Sequence, residues 1–324
     1  MSTPFDSRID FTELRETVEN IRKEIHRIVV GQDRMIDLLI AAVLADGHVL
    51  IEGVPGIAKT LTAKLLARTL DINFQRIQFT PDLMPSDVIG TSVFNPKTSE
   101  FSFHSGPIFS NFVLIDEINR APAKTQSALF EVMEERQVTV DGITHKMAPP
   151  FLVIATQNPI DQEGTYRLPE AQLDRFMVKI TVDYPSLTEE QTILSEFHQR
   201  NNSFDISGIA PVMTKEQLTR FRHALREVRA EETLLHYIAT ITHQTRNNPA
   251  LSLGASPRAS LGILMAAKAF AAMDGRDFIT PDDVKNIAPS VLRHRLMMTP
   301  EKEMEGINPE DVITQIITRI EIPR

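Results

Sequence analysis

Residues 49–60, which read VLIEGVPGIAKT, constrain the fold more than any other part of the chain. A short apolar run leads into a glycine-containing loop that ends in Lys-Thr, and a helix-like stretch follows at residues 61–70. Because Gly53 and Gly56 carry no Cβ atom, the backbone can curl with its N–H groups pointing inward, next to the positive end of the following helix. The pattern therefore predicts a strand, a phosphate-binding loop and a helix.

The end of this loop predicts a ligand with several phosphates and a metal ion. Lys59 would reach the β- and γ-phosphates as a point charge, and the Thr60 hydroxyl would complete the shell of a Mg²⁺ ion that keeps several waters. The strict pattern GxxxxGK[ST] has a second glycine where this chain has Ala58, which is the nearest substitute in size and favours a helix beginning there. The alternative for the loop alone is an ordinary strand-to-helix turn. The residues expected to contact the nucleotide are Gly53, Pro55, Gly56, Ile57, Ala58, Lys59, Thr60 and Leu61.

Two further apolar runs end in polar residues that suit hydrolysis. Residues 111–117, NFVLIDE, end in Asp116, which would hold Mg²⁺ through water, and Glu117, which is placed to polarise a water against the γ-phosphate. Residues 151–159, FLVIATQNP, include Asn158, which could orient that water. Since ligands of parallel sheets bind outside the carboxyl ends of the strands, the three runs indicate one crevice. The alternative is that the two acids only solvate a strand end or cap the next helix.

Composition narrows the functional classes. The 324 residues favour two domains, and the absence of cysteine excludes disulfides and thiolate metal sites. The nine histidines show no paired metal-ligand spacing, and a net charge of −9 disfavours binding to a nucleic-acid backbone. No apolar run approaches the roughly 18 residues of a membrane span, and the polar start lacks the apolar region of a signal peptide. We expect a cytoplasmic protein that does not insert into a membrane.

The periodicity of the chain changes once. Alternating strands and helices up to about Tyr184 predict an α/β fold, with a parallel sheet between helices, for residues 1–185. From Pro185 onward a capping box, formed by Ser186 and Glu189, introduces a series of helical stretches. We therefore predict a smaller all-helical second domain at residues 186–324, with helices at residues 191–200, 214–229, 234–246, 258–273, 281–293 and 309–319.

Two hairpins interrupt the α/β region. The first covers residues 91–104, and the second covers residues 137–146, where Asp141-Gly142 suits a type I′ turn. Exposed hairpins on a nucleotide-binding core favour contacts with partners, although they could also be structural decoration.

With these residues in place, the chain resembles the AAA+ ATPases and, within them, the MoxR family of the helix-2-insert clade. The resemblance covers most of the chain and implies an AAA+ core followed by a helical lid. Its motifs are GVPGIAKT (residues 53–60), RIQFTPDLMPSDVIG (76–90), VLIDEINRAPAKTQSALFEVMEE (113–135), ATQNP (155–159), EGTYRLPEAQLDRF (163–176) and SPRA (256–259).

The resemblance implies roles for residues that the spacing alone leaves open. It implies that Asn158 is the sensor 1 residue, that Arg175 is an arginine finger acting on a neighbouring subunit, and that Arg258 is the sensor 2 arginine. It further implies that Val29, Val30 and Gly31 lie beside adenine, that residues 91–104 form the helix-2 insert, and that Asp141-Gly142 tips the hairpin before sensor 1. Arg120 is a further candidate for a contact between subunits.

The function implied by the resemblance is Mg²⁺-dependent ATP hydrolysis in a ring, by family analogy a hexamer, that remodels or matures a protein client. A partner with a von Willebrand factor A domain is also implied. Alternatives in the same clade are a nucleic-acid motor and the motor subunit of a metal chelatase. A nucleotide-binding scaffold without turnover is disfavoured, since a scaffold needs neither Glu117 nor Arg175.

Overall fold

The computed structural model describes residues 9–97, 99–158, 166–200 and 206–323. These residues form two compact units: one comprises the described residues within Ile21–Lys215, and the other comprises those within Met1–Asn20 and Glu216–Arg324. We call them the α/β unit and the helical unit. This division differs from the predicted boundary at residue 185, because it places the helix at Leu187–Gln199 in the α/β unit. The predicted domain boundary itself stays a prediction.

The strands of the described residues belong to one central sheet and three two-stranded sheets. The central sheet has the order β2-β5-β8-β1-β9, and its paired strands are parallel. In chain order the strands are β1 (Val49–Gly53), β2 (Phe74–Gln78), β3 (Gly90–Asn95), β4 (Glu100–Ser105), β5 (Phe112–Asp116), β6 (Gln137–Val140), β7 (Ile143–Lys146), β8 (Leu152–Gln157), β9 (Val178–Val182), β10 (Leu251–Leu253) and β11 (Met297–Met298).

The helices of the described residues follow the predicted periodicity closely. A 3-10 turn at Ile118–Arg120 follows β5. In chain order the α-helices are α1 (Thr12–His26), α2 (Asp33–Leu44), α3 (Lys59–Thr69), α4 (Pro85–Ile89), α5 (Ala123–Glu135), α6 (Glu170–Leu173), α7 (Leu187–Gln199), α8 (Lys215–Arg226), α9 (Glu232–Arg246), α10 (Pro257–Met273), α11 (Pro281–Leu292), α12 (Pro300–Met304) and α13 (Pro309–Arg319).

The register of the central sheet brings its polar strand ends together. Gln78 at the end of β2 lies beside Asp116 at the end of β5. On β8, Thr156 pairs with Ile51 of β1, so this strand ends between β5 and the loop that follows Gly53. Parallel strands place their carboxyl ends at one edge, as the α/β prediction requires.

The core of the α/β unit explains why β5 is a continuous apolar run. All five residues of β5 are buried, as expected for a central parallel strand covered on both faces. One cluster packs β5 and β8 against α5, and within it the rings of Phe130 and Phe176 meet edge to face with centroids 5.8 Å apart. The sheet edge that carries the polar residues is therefore anchored by buried apolar packing.

Both predicted hairpins are present. The pair β3–β4 covers residues 90–105, and the pair β6–β7 has the predicted strands with Asp141 and Gly142 between them. Asp141 has φ 51° and Gly142 has φ 78°, which are the positive values that a type I′ turn requires at both central positions. The prediction of this turn is confirmed.

The helical unit contains the predicted helices α9, α10, α11 and α13 and nearly all of α8, whereas the short helix α12 and a pair of short strands were not predicted. Its longer helices pack α10 against α9 and α11, and α13 against α9 and α11. The short strands β10 and β11 pair antiparallel, although the 43 residues 254–296 lie between Leu253 and Met297 in the chain. Within the described residues, no helix is long and apolar enough to cross a membrane.

Candidate functional site

The two glycines of the phosphate loop serve different purposes. Gly56 has φ 87°, a conformation that L-residues other than glycine rarely adopt, and its Cβ position is open. Gly53 is required by packing, because a Cβ atom there would lie 2.7 Å from the carbonyl oxygen of Val182 on β9. The loop thus begins at Gly53 in close contact with the neighbouring strand, and it turns at Gly56, where the positive φ favours glycine.

Ala58 departs from the expectation drawn from its helix propensity. It has φ 63° and ψ 15°, a left-handed conformation, and it precedes the first helical residue, Lys59. Helix propensity therefore does not apply to it, and the argument that alanine favours the helix at this position was wrong. The backbone has the conformation that a glycine would adopt freely, at a cost to alanine of about 1 kcal/mol.

The side chain of Lys59 folds back over the loop. Its Nζ atom donates a hydrogen bond to the carbonyl oxygen of Gly53. Burial lowers the pKa of Lys59, while the charges of Asp116, Glu117 and Glu52 oppose that shift. Glu52 is itself paired with Lys179 at 2.8 Å. A cation that is partly desolvated in this way gains from the arrival of an anionic phosphate.

Thr60 and Asp116 converge from different elements. The Thr60 hydroxyl at the start of α3 lies 3.2 Å from Oδ1 and 3.3 Å from Oδ2 of Asp116 at the end of β5. Thr156 on β8 donates to Oδ1 of Asp116 at 2.7 Å and so fixes the orientation of this buried carboxylate. Hydroxyl and carboxylate oxygens are the ligands that Mg²⁺ prefers, so these residues fit that ion.

The remaining ligands of such an ion would have to be phosphate and water oxygens. Across the described ranges, there is no group of three or more His, Cys, Asp or Glu residues that could hold a metal alone. Mg²⁺ is commonly bound by one or two protein groups together with substrate phosphates. The pair formed by Thr60 and Asp116 matches that pattern.

Glu117 lies one residue beyond the strand and has an unusual backbone. Its φ of 56° and ψ of 54° are left-handed, and its N–H donates to the Thr156 hydroxyl at 3.0 Å. The carboxylate accepts a hydrogen bond from Gln78 Nε2 at 2.9 Å and lies 3.2 Å from Arg120 Nη1. Non-glycine residues held in such conformations cluster at functional sites.

Three residues of the site were missed as functional residues by sequence reasoning, namely Arg76, Gln78 and Thr156. Arg76 on β2 donates from Nε to Oδ2 of Asp116 at 2.8 Å, and its Nη2, which lies 2.7 Å from the same oxygen, donates to Gln78 Oε1 at 2.9 Å. Arg76 and Gln78 are two positions apart on one strand, so they share a face. That alternation was visible in the sequence, whereas the pairing of β2 with β5 was not.

The phosphate loop and the polar strand ends line one cleft of about 410 Å³, within the usual range for ligand sites. Among the predicted residues, the cleft is lined by Pro55, Gly56, Ile57, Ala58, Lys59, Thr60, Leu61, Asp116, Glu117 and Asn158. Gly53 adjoins it through the contact of its carbonyl oxygen with Lys59.

The predicted adenine-side residues lie at a turn outside the residues that line this cleft. Val30 and Gly31 separate α1 from α2, and Gly31 has φ 66°. A Cβ atom on Gly31 would collide with the carboxylate of Glu189, which confirms that this turn is closely packed. The role of Val30 and Gly31 in binding the base stays a prediction.

Neither of the two predicted arginines is among the residues that line this cleft. Arg175 follows α6, with Nε 3.7 Å from Oε2 of Glu134 and the guanidinium 6.0 Å from the centroid of Phe130. Arg258 lies in the first turn of α10, in the helical unit. The finger and sensor 2 roles stay predictions, as does the intersubunit role of Arg120, whose guanidinium contacts Glu117.

Comparisons with known proteins agree with this architecture. The model of the ATPase family associated with various cellular activities (AAA) matches residues 48–178, and that of the AAA lid domain matches residues 243–316. The chain is 47% identical over 301 residues to the Bacillus subtilis protein YeaC, covering 93% of each. It is 45% identical over 322 residues to the chaperone MoxR1 of Mycobacterium tuberculosis, covering 95% of this chain and 83% of that one.

A solved structure supports the same assignment for the whole fold. A candidate ATPase from Cytophaga hutchinsonii superposes with a TM-score of 0.88 at 41% sequence identity, covering 96% of this chain and 97% of that chain. Together with a phosphate loop that faces paired carboxylates across one cleft, these similarities establish that the chain belongs to the MoxR family of AAA ATPases.

Proposed function

We propose that this protein is a Mg²⁺-dependent ATPase that works as a ring, by family analogy a hexamer, and uses ATP hydrolysis to remodel or mature a protein client. The observation that carries the proposal is the convergence of Thr60, Asp116 and Glu117 in one cleft with Lys59. A site that only stored a nucleotide would not need a second carboxylate beside the first.

The charges of the cleft suit phosphoryl transfer to water. Lys59 would bind the β- and γ-phosphates, and the helix that begins there adds partial positive charge. Mg²⁺, held by Thr60 and Asp116, would neutralise charge on the phosphates. Glu117 is held by Gln78 and Arg120 at the rim of the cleft, from which it would accept a proton from the attacking water. Asn158, which also lines the cleft, would orient that water.

The position of Arg175 supports the proposal of a ring. A planar guanidinium can contact two phosphate oxygens at once, but Arg175 is not among the residues that line its own cleft. A finger at this position would therefore serve the cleft of a neighbouring subunit. Arginine fingers contribute roughly 10³- to 10⁵-fold to the rate, so we expect isolated subunits to be poor ATPases.

The proposal about the client rests on relatives and on the hairpins. The name of the Mycobacterium tuberculosis relative describes that protein as a chaperone, and 45% identity over most of both chains makes a chaperone-like role the best-supported assignment for this one. The hairpin β3–β4 exposes Phe101 and Phe94, whose rings pack on each other with centroids 5.2 Å apart. Exposed aromatic residues suit contact with a protein partner, for which we propose a von Willebrand factor A domain protein.

The experiment that tests the ATPase proposal measures hydrolysis against protein concentration, with light scattering on the same samples. Wild type and Glu117→Gln are compared, since the variant keeps the shape of the side chain but removes the base. Specific activity should rise as larger assemblies form and should be absent from the variant. Equal activity in the variant, or activity that does not change with assembly, would contradict the proposed mechanism.

A further inference from the structure

Arg76 is a second cation that lines the cleft, and the roles proposed for the phosphate loop and the two carboxylates do not involve it. Its Nε donates a hydrogen bond to Oδ2 of Asp116, and its Nη2 lies 2.7 Å from the same oxygen. The Asp116 side chain is 9% exposed, whereas that of Arg76 is 51% exposed. The surrounding residues therefore hold the Asp116 carboxylate in place, whereas about half of the Arg76 side chain faces solvent and has room to move.

The carboxylate of Asp116 has little capacity left for another donor. Oδ1 accepts from Thr156 and from the Thr60 hydroxyl, and Oδ2 accepts from Arg76 Nε and, at 3.3 Å, from the same Thr60 hydroxyl. A carboxylate offers about four lone-pair positions. Water bound to a metal ion would have to donate to the same oxygens, so a metal shell beside Thr60 and the Arg76 contacts compete for Asp116.

We propose that Arg76 is a further nucleotide-binding residue of the cleft. Its guanidinium neutralises Asp116 when no Mg²⁺ is bound there, and it would turn to the γ-phosphate when ATP binds together with Mg²⁺. This inference rests on the proposed function, because it needs ATP with Mg²⁺ as the ligand.

The geometry makes such a transfer short. Asp116 Oδ2 lies 3.3 Å from the Thr60 hydroxyl and 2.7 Å from Arg76 Nη2. The guanidinium and the Thr60 hydroxyl, which we expect to bind Mg²⁺, therefore contact the same carboxylate oxygen. Mg²⁺ held near Thr60 would neutralise charge on the phosphates of a bound triphosphate. The terminal phosphate would then lie beside the displaced arginine, whose fork of donors matches phosphate oxygens.

The inference predicts that Arg76 distinguishes ATP from ADP. We would measure the dissociation constants of ADP and of the non-hydrolysable analogue AMP-PNP, both with Mg²⁺, by isothermal titration calorimetry. In Arg76→Met the preference for AMP-PNP over ADP should fall by about tenfold, because one charge-assisted contact with the γ-phosphate is lost. A preference within twofold of wild type would overturn the inference.

A matched control is available in the same unit. Arg22 pairs with Asp37 at 2.7 Å, an ion pair as short as that of Arg76 but outside the residues that line the cleft. Arg22→Met should leave the preference for AMP-PNP unchanged. If Arg22→Met lowered the preference as much as Arg76→Met does, the loss of any positive charge would explain the result, and the inference would be wrong.

A second readout tests the displacement itself. At a fixed concentration of fluorescent mant-ADP, which has no γ-phosphate, Arg76→Met should need several-fold less Mg²⁺ for half-maximal binding, because the competitor for Asp116 is gone. An unchanged or higher Mg²⁺ requirement would overturn the displacement step.

Two outcomes concern folding and the proposed function. If Arg76→Met folds poorly, Arg76→Lys keeps the charge without the fork, and it should lower the preference for AMP-PNP by about threefold. An undiminished preference in that variant would count against the inference. If wild type binds neither nucleotide, the proposed function fails and this inference fails with it, whereas binding with an unchanged preference removes the inference alone.

Discussion

The imidazole ring of His145 stacks on the phenyl ring of Phe103, with centroids 4.1 Å apart and planes inclined by 22°. Phe103 belongs to β4 and His145 to β7, so the stack joins two hairpins that share no sheet. Phe109 meets both rings edge to face, at 5.7 Å from Phe103 and 6.4 Å from His145. The hairpins therefore form one aromatic cluster and are expected to move together.

We expect this stack to contribute a measurable coupling energy. A double-mutant cycle of Phe103→Ala and His145→Ala, followed by urea unfolding, should give a coupling of about 0.5–1.5 kcal/mol, as aromatic pairs do. Phe101→Ala serves as the control for Phe103→Ala, since Phe101 is exposed and packs on Phe94 within its own hairpin. Combined with His145→Ala, it should show no coupling, and equal coupling in both cycles would remove the link between the hairpins.

Ala58 carries strain that a single substitution should release. Because its φ is 63°, Ala58→Gly should stabilise the protein by up to about 1 kcal/mol, the relief of strain being partly offset by the larger entropy of glycine in the unfolded chain. Ala63→Gly, inside α3, should instead destabilise by about 1 kcal/mol or more. Thermal unfolding of the nucleotide-free protein measures both, and destabilisation by Ala58→Gly would contradict the left-handed conformation.

Lys59 is expected to reduce stability when no nucleotide is bound. Burial lowers its pKa, so the folded state holds the proton less tightly than the unfolded state, and stability rises with pH between the lowered pKa and the ordinary one. Lys59→Met should therefore give an equal or higher melting temperature at neutral pH, and a weaker rise in stability towards alkaline pH. ATP with Mg²⁺ should stabilise wild type and leave the variant unchanged, and a clearly lower melting temperature in the variant would contradict the burial argument.

Glu117→Gln should separate binding from turnover. The amide keeps an oxygen that can accept from Gln78 but cannot take a proton from water, so hydrolysis should fall by about 10²-fold or more while ATP binding persists. Nucleotide affinity by calorimetry and phosphate release together measure this. Glu131→Gln, an exposed position on α5, provides the control and should keep wild-type activity. Loss of ATP binding by Glu117→Gln would show that Glu117 holds the site together.

Many residues of this cleft could be predicted from the sequence, because the side chains suited to bind phosphate and metal come directly after apolar runs. The loop before α3 and the end of β5 each pair a local structural signal with a chemical one, so Lys59, Thr60, Asp116 and Glu117 could be named from the sequence. Both hairpins likewise carry period-two alternation and turn residues. In each case the information is contained within about a dozen neighbouring residues.

The contacts that the sequence did not predict depend on the order of strands in space. Arg76 reaches Asp116 only because β2 lies next to β5 in the sheet. In the chain, the 39 residues 77–115 lie between the two positions. The left-handed φ of Ala58 follows from closing the loop against the sheet and not from any preference of alanine. The short strands β10 and β11 pair over a similar distance, without a periodicity long enough to detect.

The trans role of Arg175 can be tested with two variants that are inactive for different reasons. Arg175→Ala keeps the phosphate loop but lacks the finger, and Lys59→Ala lacks productive ATP binding but keeps the finger. Each alone should lose most of its activity, by as much as roughly 10³-fold for the finger. When the two are mixed under conditions that allow subunit exchange, an intact cleft of one subunit can meet an intact Arg175 of the other.

The mixture should therefore regain a substantial fraction of wild-type hydrolysis, and the fraction should rise with the concentration at which rings form. Mixing Arg175→Ala with Glu117→Gln should also restore activity, because the defects again lie on opposite sides of a subunit contact. As the control, mixing Lys59→Ala with Glu117→Gln should restore none, since both defects affect the cleft that receives the finger. Activity that stays absent in every mixture, despite exchange of subunits, would contradict a role of Arg175 in the cleft of a neighbouring subunit.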